Sequence, residues 1–157
     1  MTRHNAREIA VRLTFALGFS RLTADELLER ELTPERFALL AEEDGLYREF
    51  PNGKQKNYIT GLVKGVFDHG AELDGYIEKY AVGWKFGRID RVAAAVMRVA
   101  MYEVLYMPDI PNRAAVNAAV ELAKQYLDTD VVRFVNGILG SFVRAEFPEE
   151  NAPREES

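Results

Sequence analysis

The side chains that could carry out catalysis are few in this chain of 157 residues, and their spacing does not build an active site. Cysteine is absent, and the two histidines, His4 and His69, are too far apart in the sequence to suggest a shared metal ion. No phosphate-binding glycine loop, nucleophile elbow or H-E-x-x-H helix is present. Neighbouring carboxylates such as Glu42 and Glu43 lie in acidic runs that are typical of a solvated surface. The sequence therefore predicts a protein that is not an enzyme and that binds no metal ion and no cofactor.

Arginines near the N-terminus are the first feature that suggests binding. Arg3 and Arg7 are one helical turn apart and would stand beside the apolar face of a helix. Arginine pairs with phosphate and stacks on unpaired bases, so such a helix is suited to RNA. The spacing alone favours the simpler interpretation of a solvated basic face, and both interpretations stay open at this point.

The same helix carries a second apolar stripe, formed by Val11, Phe15 and Phe19. A helix that is apolar on two sides is either enclosed in the core or presents one side to a partner protein. The spacing favours the core, with a partner surface as the alternative.

The last helix carries an aromatic residue at the margin of its core face. Val135, Ile138 and Phe142 would point into the core, whereas Phe134 stands beside Arg133. A marginal aromatic next to a cation can stack a base. It can equally be a rim residue of the core, and the sequence does not decide between the two.

Helical periodicity dominates the chain and no β-hairpin signal interrupts it, which predicts an all-α protein of about seven helices. We expect the first helix to start near Thr2 or Asn5, and a second helix from 24 to about 42, which Pro34 breaks or restarts. Residues 43–56 are polar and predict a surface loop. Further helices are predicted over residues 57–69, 71–80, 88–107, 113–127 and 130–147.

Glycine and proline mark two other boundaries. Gly83 and Gly87 flank Trp84 and predict a turn before the long central helix. Pro148 would stop the last helix, and the polar, acidic residues 148–157 are expected to be a disordered tail.

Charge is distributed unevenly along the chain, whose net charge is −5. Residues 1–21 hold four arginines against one glutamate, whereas residues 22–50 hold nine acidic residues against three arginines. Such asymmetry can orient a polyanion. The longest apolar run, residues 92–107, is interrupted by Arg98 and Glu103, so we expect no membrane span. The lack of cysteine suits a cytoplasmic protein.

Several motifs together resemble the NusB family, in the same order along nearly the whole chain. The opening R-x-x-A-R-E-x-A over residues 3–10 is similar to the start of these proteins. The central and C-terminal motifs are RIDRV at 88–92, M-R-x-A-x-Y-E at 97–103, IP at 110–111, Asn117, AVELAK at 119–124 and FVNGIL at 134–139.

The resemblance implies a compact all-helical bundle of two packed subdomains, with residues 1–147 forming a single RNA-binding domain. It implies a transcription antitermination factor that binds boxA RNA, as a heterodimer with the ribosomal protein NusE. Such a complex joins RNA polymerase and suppresses termination over ribosomal RNA operons. Members of the family differ in whether they dimerise, so a homodimer is an open alternative.

The resemblance also assigns roles to residues. The RNA would contact two places that the residues themselves suggest, through Arg3, His4, Arg7, Asp130, Arg133 and Phe134. NusE would contact the second apolar stripe and its surroundings, through Val11, Arg12, Phe15, Phe19 and Arg88.

Three positions on the expected NusE surface depart from the family pattern. Phe15 stands where a tyrosine is frequent, Ala93 where an acidic residue is usual, and Ala118 where glutamate usually follows the asparagine. The first change removes a hydroxyl, and the other two remove carboxylates that could pair with a basic partner.

Two other functions compete with antitermination. One is a helical protein-interaction scaffold without specific RNA binding, which the modest number of N-terminal arginines motivates. The other is the RNA-binding part of an rRNA-modifying enzyme acting in trans, since similar domains precede some methyltransferase domains.

Overall fold

The computed structural model describes residues 1–83 and 86–151, and all regular elements within these ranges are helices. The predicted all-α class is confirmed. The chain divides into two compact units, Met1–Gly70 and Ala71–Ser157. The α-helices are α1 Arg3–Leu17, α2 Ala24–Glu31, α3 Pro34–Ala41, α4 Gly53–Asp68, α5 Gly70–Tyr80, α6 Arg91–Tyr106, α7 Asn112–Tyr126 and α8 Thr129–Glu146, and short 3-10 helices cover Gly45–Tyr47, Phe86–Arg88 and Pro148–Asn151.

Side-chain caps determine where the first helices begin. The hydroxyl of Thr2 accepts a hydrogen bond from the backbone N–H of Asn5 at 3.0 Å, so α1 starts directly after it. Thr33 caps α3, and Pro34 occupies its first position, where no backbone N–H is required. Of the two expectations for Pro34, the restart is the one that the structure shows, which raises the count to eight α-helices in the described residues.

The predicted loop over residues 43–56 is too long at its C-terminal end. Asn52 and Gln55 form a capping box, in which each side chain accepts a hydrogen bond from the other's backbone N–H at 2.9 Å. Helix α4 therefore begins at Gly53, and Lys54 lies in its first turn. Only the part before Asn52 is irregular, and a 3-10 turn lies within it.

The central helix begins three residues later than expected. The Asp90 carboxylate accepts hydrogen bonds from the backbone N–H groups of Val92 and Ala93 at 2.8 and 3.0 Å, and this cap starts α6 at Arg91. The residues before it form the 3-10 helix Phe86–Arg88. The predicted turn is present at Gly83, whose φ of +84° is a left-handed conformation that favours glycine. Trp84 lies outside the described residues.

The core of the first unit lies between α1 and α4, and α2 packs on both helices. Ile9, Ile59, Leu62 and Val63 have at most 1% of their surface exposed. These side chains recur at helical spacing on the facing sides of α1 and α4, which is why the two helices bury a continuous apolar surface.

The segment between α3 and α4 is held by aromatic contacts and one ion pair. The ring of Phe37 makes edge-to-face contacts with Tyr47 and Phe50, with centroids 5.0 and 5.1 Å apart. Arg12 of α1 donates to the Asp44 carboxylate at 2.6 Å, and its guanidinium lies 5.6 Å from the centre of the Tyr47 ring. The segment is therefore fastened to both α1 and α3.

In the second unit, α6, α7 and α8 pack on one another around large apolar side chains. Met97, Met101, Leu122, Leu139 and Phe142 are fully buried there. Helix α5 is joined to this unit by rings and charges at its surface: Tyr76 contacts Phe142, Asp74 pairs with Arg98, and Lys79 pairs with Glu146.

Residues 148–151 of the expected disordered tail form a 3-10 turn, and residues 152–157 lie outside the described part of the chain. None of the helices described combines the length and the apolar character that crossing a lipid bilayer requires.

Two leucines of the first unit test the position of its core. Leu62 has no exposed surface, whereas Leu39 is 58% exposed. We expect Leu62→Ala to lower the free energy of unfolding by about 2–5 kcal/mol, because it removes buried apolar surface and leaves a cavity. Leu39→Ala should change it by less than about 0.5 kcal/mol. Urea unfolding followed by circular dichroism measures both, and equal losses would place the core elsewhere.

Acid should weaken the attachment of the segment between α3 and α4. The backbone N–H of Leu46 and the Arg12 guanidinium both donate to the Asp44 carboxylate and lower its pKa. A lowered pKa contributes stability that is present above the unfolded pKa of about 3.9 and is lost as the pH falls through the folded value.

Asp44→Asn removes this charge but keeps an oxygen that can cap the turn. We expect the variant to be less stable at pH 7 by less than about 1 kcal/mol, since the pair is partly exposed. The difference from wild type should shrink as the pH falls below about 4. Urea unfolding at several pH values measures it, and a difference that does not vary with pH would refute the role of the carboxylate charge.

Candidate nucleic-acid interface

The two arginines that the sequence places on α1 have different surroundings. Arg3 is exposed, and its guanidinium carbon lies 4.1 Å from the centre of the Tyr58 ring. Arg7 is only 7% exposed, and its guanidinium carbon lies 6.0 Å from the same ring. The helical wheel predicts that both arginines lie beside the apolar face of α1. In the structure, Tyr58 of α4 packs against that same edge of the helix. Arg3 is therefore available at the surface, whereas Arg7 belongs to the packing between α1 and α4.

A small basic pocket lies where the N-terminal ends of α1 and α4 meet. Its volume is about 210 Å³. We call it the N-terminal pocket, and its lining residues are Arg3, Ala6, Asn52, Lys54, Gln55 and Tyr58. Lys56 follows in the first turns of α4 and is exposed. The pocket thus joins cations that are about 50 residues apart in the sequence.

Several cations among the described residues pair with carboxylates, and the two cations that line this pocket do not. In the described parts of the chain, Arg12, Arg36 and Lys64 each have a carboxylate within 3 Å. Within residues 1–83 and 86–151, no carboxylate lies within 4.0 Å of the charged nitrogens of Arg3 or Lys54. Charges without a carboxylate partner create a positive potential that favours a polyanion. The guanidinium of Arg3 rests on a tyrosine ring, and a stacked guanidinium still carries donors along its edge.

His4 lies beside Arg3 on α1 and is half-buried. Groups of three or more histidine, cysteine or carboxylate side chains that could hold a metal ion do not occur among the described residues.

Neither Lys54 nor Tyr58 was predicted as a site residue, and Lys54 was missed because residues 43–56 were assigned to a loop. The spacing of Asn52 and Gln55 is that of a capping box, and this signal would have placed Lys54 at a helix start. The contact between Tyr58 and Arg3 joins two separate helices, and no pattern within either helix reveals it.

The second apolar stripe of α1 changes from buried to exposed along its length. Val11 is 4% exposed, Phe15 is half-buried and Phe19 is 59% exposed. The rings of Phe15 and Phe19 are in contact, with centroids 4.9 Å apart. Residues four apart drift around a helix by about 40°, and Phe19 also lies beyond the end of α1, so the three cannot share one direction. Only the end with the two rings presents an apolar surface.

The other residues expected at the partner surface are more constrained. Arg12 is held by Asp44 at 2.6 Å and Glu8 at 3.4 Å, and a third of its side chain is exposed. Arg88 is exposed in the 3-10 helix before α6 in the second unit. Ala93 is fully buried and Ala118 is half-buried.

The start of α8 carries the other predicted RNA residues. Asp128 caps the helix by accepting from the backbone N–H of Val131 at 3.1 Å. Asp130 and Arg133 are exposed, and their charged atoms are 3.9 Å apart. Phe134 is half-buried, as expected for a residue at the margin of the core face. The site residues thus fall into two groups, one at the start of α1 in the first unit and one at the start of α8 in the second.

Proteins with similar sequences are transcription antitermination proteins. The transcription antitermination protein NusB of Ruminiclostridium cellulolyticum is 37% identical over 155 residues, which cover 99% of this chain and 97% of that protein. The protein of the same name from Acetivibrio thermocellus is 38% identical over 146 residues, which cover 93% of this chain and 91% of its own.

Solved structures share the fold. NusB from T. maritima superimposes with a TM-score of 0.70 at 27% identity, covering 95% of this chain and 96% of that chain. A chain from a complex of the antitermination factors NusB and NusE with double-stranded RNA has a TM-score of 0.72 at 23% identity, covering 91% and 96%. The NusB family profile matches residues 4–144. The chain therefore belongs to the NusB family.

Proposed function

We propose that this protein is a transcription antitermination factor that binds single-stranded boxA RNA together with NusE. The observation that carries the proposal is the N-terminal pocket, where Arg3 and Lys54 stand at the surface with a positive charge that no nearby carboxylate offsets. A relative named for transcription antitermination, 37% identical over 99% of this chain, supports the same function. A chain with the same fold, solved in a complex of NusB and NusE with double-stranded RNA, supports NusE and RNA as the classes of partner.

The mechanism is that of an adaptor and needs no chemical step. Phosphates of the RNA backbone pair with Arg3 and Lys54, and each such contact releases counterions. For a single strand, each contact contributes roughly 0.7 to the slope of log affinity against log salt. Phosphate contacts position the RNA but do not read its sequence. Recognition of boxA therefore requires bases to be stacked or hydrogen-bonded elsewhere.

The start of α8 is the proposed place for base contacts. Phe134 is half-buried, so part of its ring is accessible, and Arg133 is exposed one residue before it. An aromatic face beside a guanidinium accepts any unpaired base by stacking. We propose that residues 1–147 act as one RNA-binding domain, in the cytoplasm, where the complex with NusE joins RNA polymerase over ribosomal RNA operons.

The NusE contact is proposed for the exposed end of the second apolar stripe. Phe15 and Phe19 form an aromatic pair, of which Phe19 is 59% exposed. Aromatic residues of this kind frequently dominate the binding energy of protein interfaces. Val11 is buried and would support the pair from within, and Arg12 could contribute only through its exposed third. Arg88 would contribute from the second unit.

One observation favours the alternative of a scaffold without specific RNA binding. Because Arg7 is buried, α1 offers fewer exposed arginines than its sequence suggests. A scaffold would keep the NusE contact and show no preference for boxA.

Arg3 is the residue that tests RNA binding, because Arg7→Glu would bury a carboxylate and disturb the fold. We expect Arg3→Glu to weaken boxA binding about tenfold, or about 1.4 kcal/mol, by replacing a phosphate contact with a repulsion. Fluorescence anisotropy with boxA RNA and a scrambled RNA, at two salt concentrations and with NusE present, measures the effect.

Arg30→Glu is the matched control, since it changes the net charge equally at an exposed side chain of α2 in the same unit. It should lower the affinity by less than half as much as Arg3→Glu. Equal losses of affinity in both variants would mean that the overall charge of the protein, and not the N-terminal pocket, determines RNA binding. Wild-type binding of NusE without any boxA preference would establish the scaffold.

Phe19 tests the NusE contact. We expect Phe19→Ala to weaken NusE binding about tenfold, because it removes an exposed ring that the partner would bury. Leu39→Ala in the same unit is the control, since Leu39 is 58% exposed on α3. Calorimetric titration of each variant with NusE measures both. A loss for Leu39→Ala alone would move the partner surface to α3.

A further inference from the structure

A larger groove lies in the second unit, between the end of α7 and the first turns of α8. Its volume is about 540 Å³, which is within the range of ligand-binding pockets. Among the residues that line it, only Arg133 has a role in the function proposed above. The lining residues are Val120, Lys124, Leu127, Thr129, Val132, Arg133 and Asn136.

The lining has an apolar part and a polar part. Val120, Leu127 and Val132 supply aliphatic surface, against which a planar ring can lie. Thr129 supplies a hydroxyl and Asn136 an amide, which carry both donors and acceptors. A flat ring with a polar edge matches this lining, and an unpaired nucleobase has that shape and chemistry.

Two cations stand at the groove, and within the described residues each pairs with an exposed carboxylate on its own helix. Lys124 is 2.9 Å from Glu121, and Arg133 is 3.9 Å from Asp130. More than half of each of these four side chains is exposed. Surface pairs of this kind contribute little, so a phosphate can replace the carboxylate as the partner of either cation. The groove therefore offers a place for a base and, beside it, a place for its phosphate.

We propose that this groove receives one unpaired nucleobase of the bound RNA, with the base edge on Thr129 and Asn136 and the adjoining phosphate on Lys124. The assignment rests on the proposed function and deepens it, because it places base recognition at residues other than the aromatic Phe134.

The test is an abasic scan of boxA RNA, in which one base at a time is removed and binding is measured with NusE present. The protein variants are Asn136→Ala and its control Asn117→Ala, an exposed asparagine of α7 that does not line the groove. We expect one abasic position to weaken wild-type binding about tenfold, towards the lower end of what a stacked base contributes. Asn136→Ala should weaken binding of intact RNA similarly. The two changes together should cost little more than either alone, because they remove the same contact.

Lys124→Ala tests the phosphate separately, with Lys79→Ala as a control in the same unit. The two lysines are 57% and 61% exposed, and each pairs with a glutamate. Lys124→Ala should reduce the salt slope by roughly 0.7 and leave the sensitive abasic position unchanged. Lys79→Ala should change neither property.

Losses from Asn136→Ala that add fully to those of every abasic position would overturn the groove assignment while leaving boxA binding intact. Absence of any boxA preference in the wild-type protein would overturn the proposed function instead. In that case the same scan in an unrelated single-stranded RNA tests the groove. Non-additive losses from Asn136→Ala and one abasic position would support the groove assignment, and additive losses at every position would refute it.

Discussion

The packing of α1 on α4 is the interaction on which the first unit depends. Ile9 and Leu62 are buried in its core, and at its N-terminal edge Tyr58 lies beneath Arg3. A ring that belongs to the packing of the two helices therefore also contacts a surface guanidinium. An arginine that is already ordered loses less conformational entropy when it pairs with phosphate. The packing of α1 on α4 thus both stabilises this unit and orders a residue of its proposed binding surface.

The arrangement of charge is more informative than its total. The chain is acidic overall, yet some acidic side chains of the first unit neutralise cations such as Arg12, Arg36 and Lys64. Arg3 and Lys54 are left at the N-terminal pocket without such partners within the described residues. Salt screens exposed charges that are more than a Debye length of about 8 Å apart, so acidic side chains farther away repel RNA only weakly at the pocket and the nearby cations dominate. An acidic protein can in this way present a basic site.

The sequence predicted the helical class, most helix boundaries and the margin position of Phe134, because these follow from local periodicity and caps. It failed where residues from separate helices meet. Arg7 is buried near Tyr58, which lies about 50 residues away in the sequence, and a helical wheel of α1 contains no information about that neighbour. The sequence did not predict the groove beside α8 for the same reason, since Lys124 and Asn136 line it from two different helices. In contrast, the start of α4 could have been predicted from the sequence, because the spacing of Asn52 and Gln55 is that of a capping box.

The capping box of α4 has a consequence for how this family can vary in length. Asn52 and Gln55 both start the helix and line the N-terminal pocket. The position of Lys54 is therefore fixed relative to the start of α4, and it does not depend on the number of residues that follow α3. Tyr47 and Phe50 both rest on Phe37, so residues inserted between them would form a longer loop with anchored ends, and the entropic cost of a longer loop grows slowly. Added surface sequence at this place would therefore leave the position of the lysine relative to its helix start unchanged.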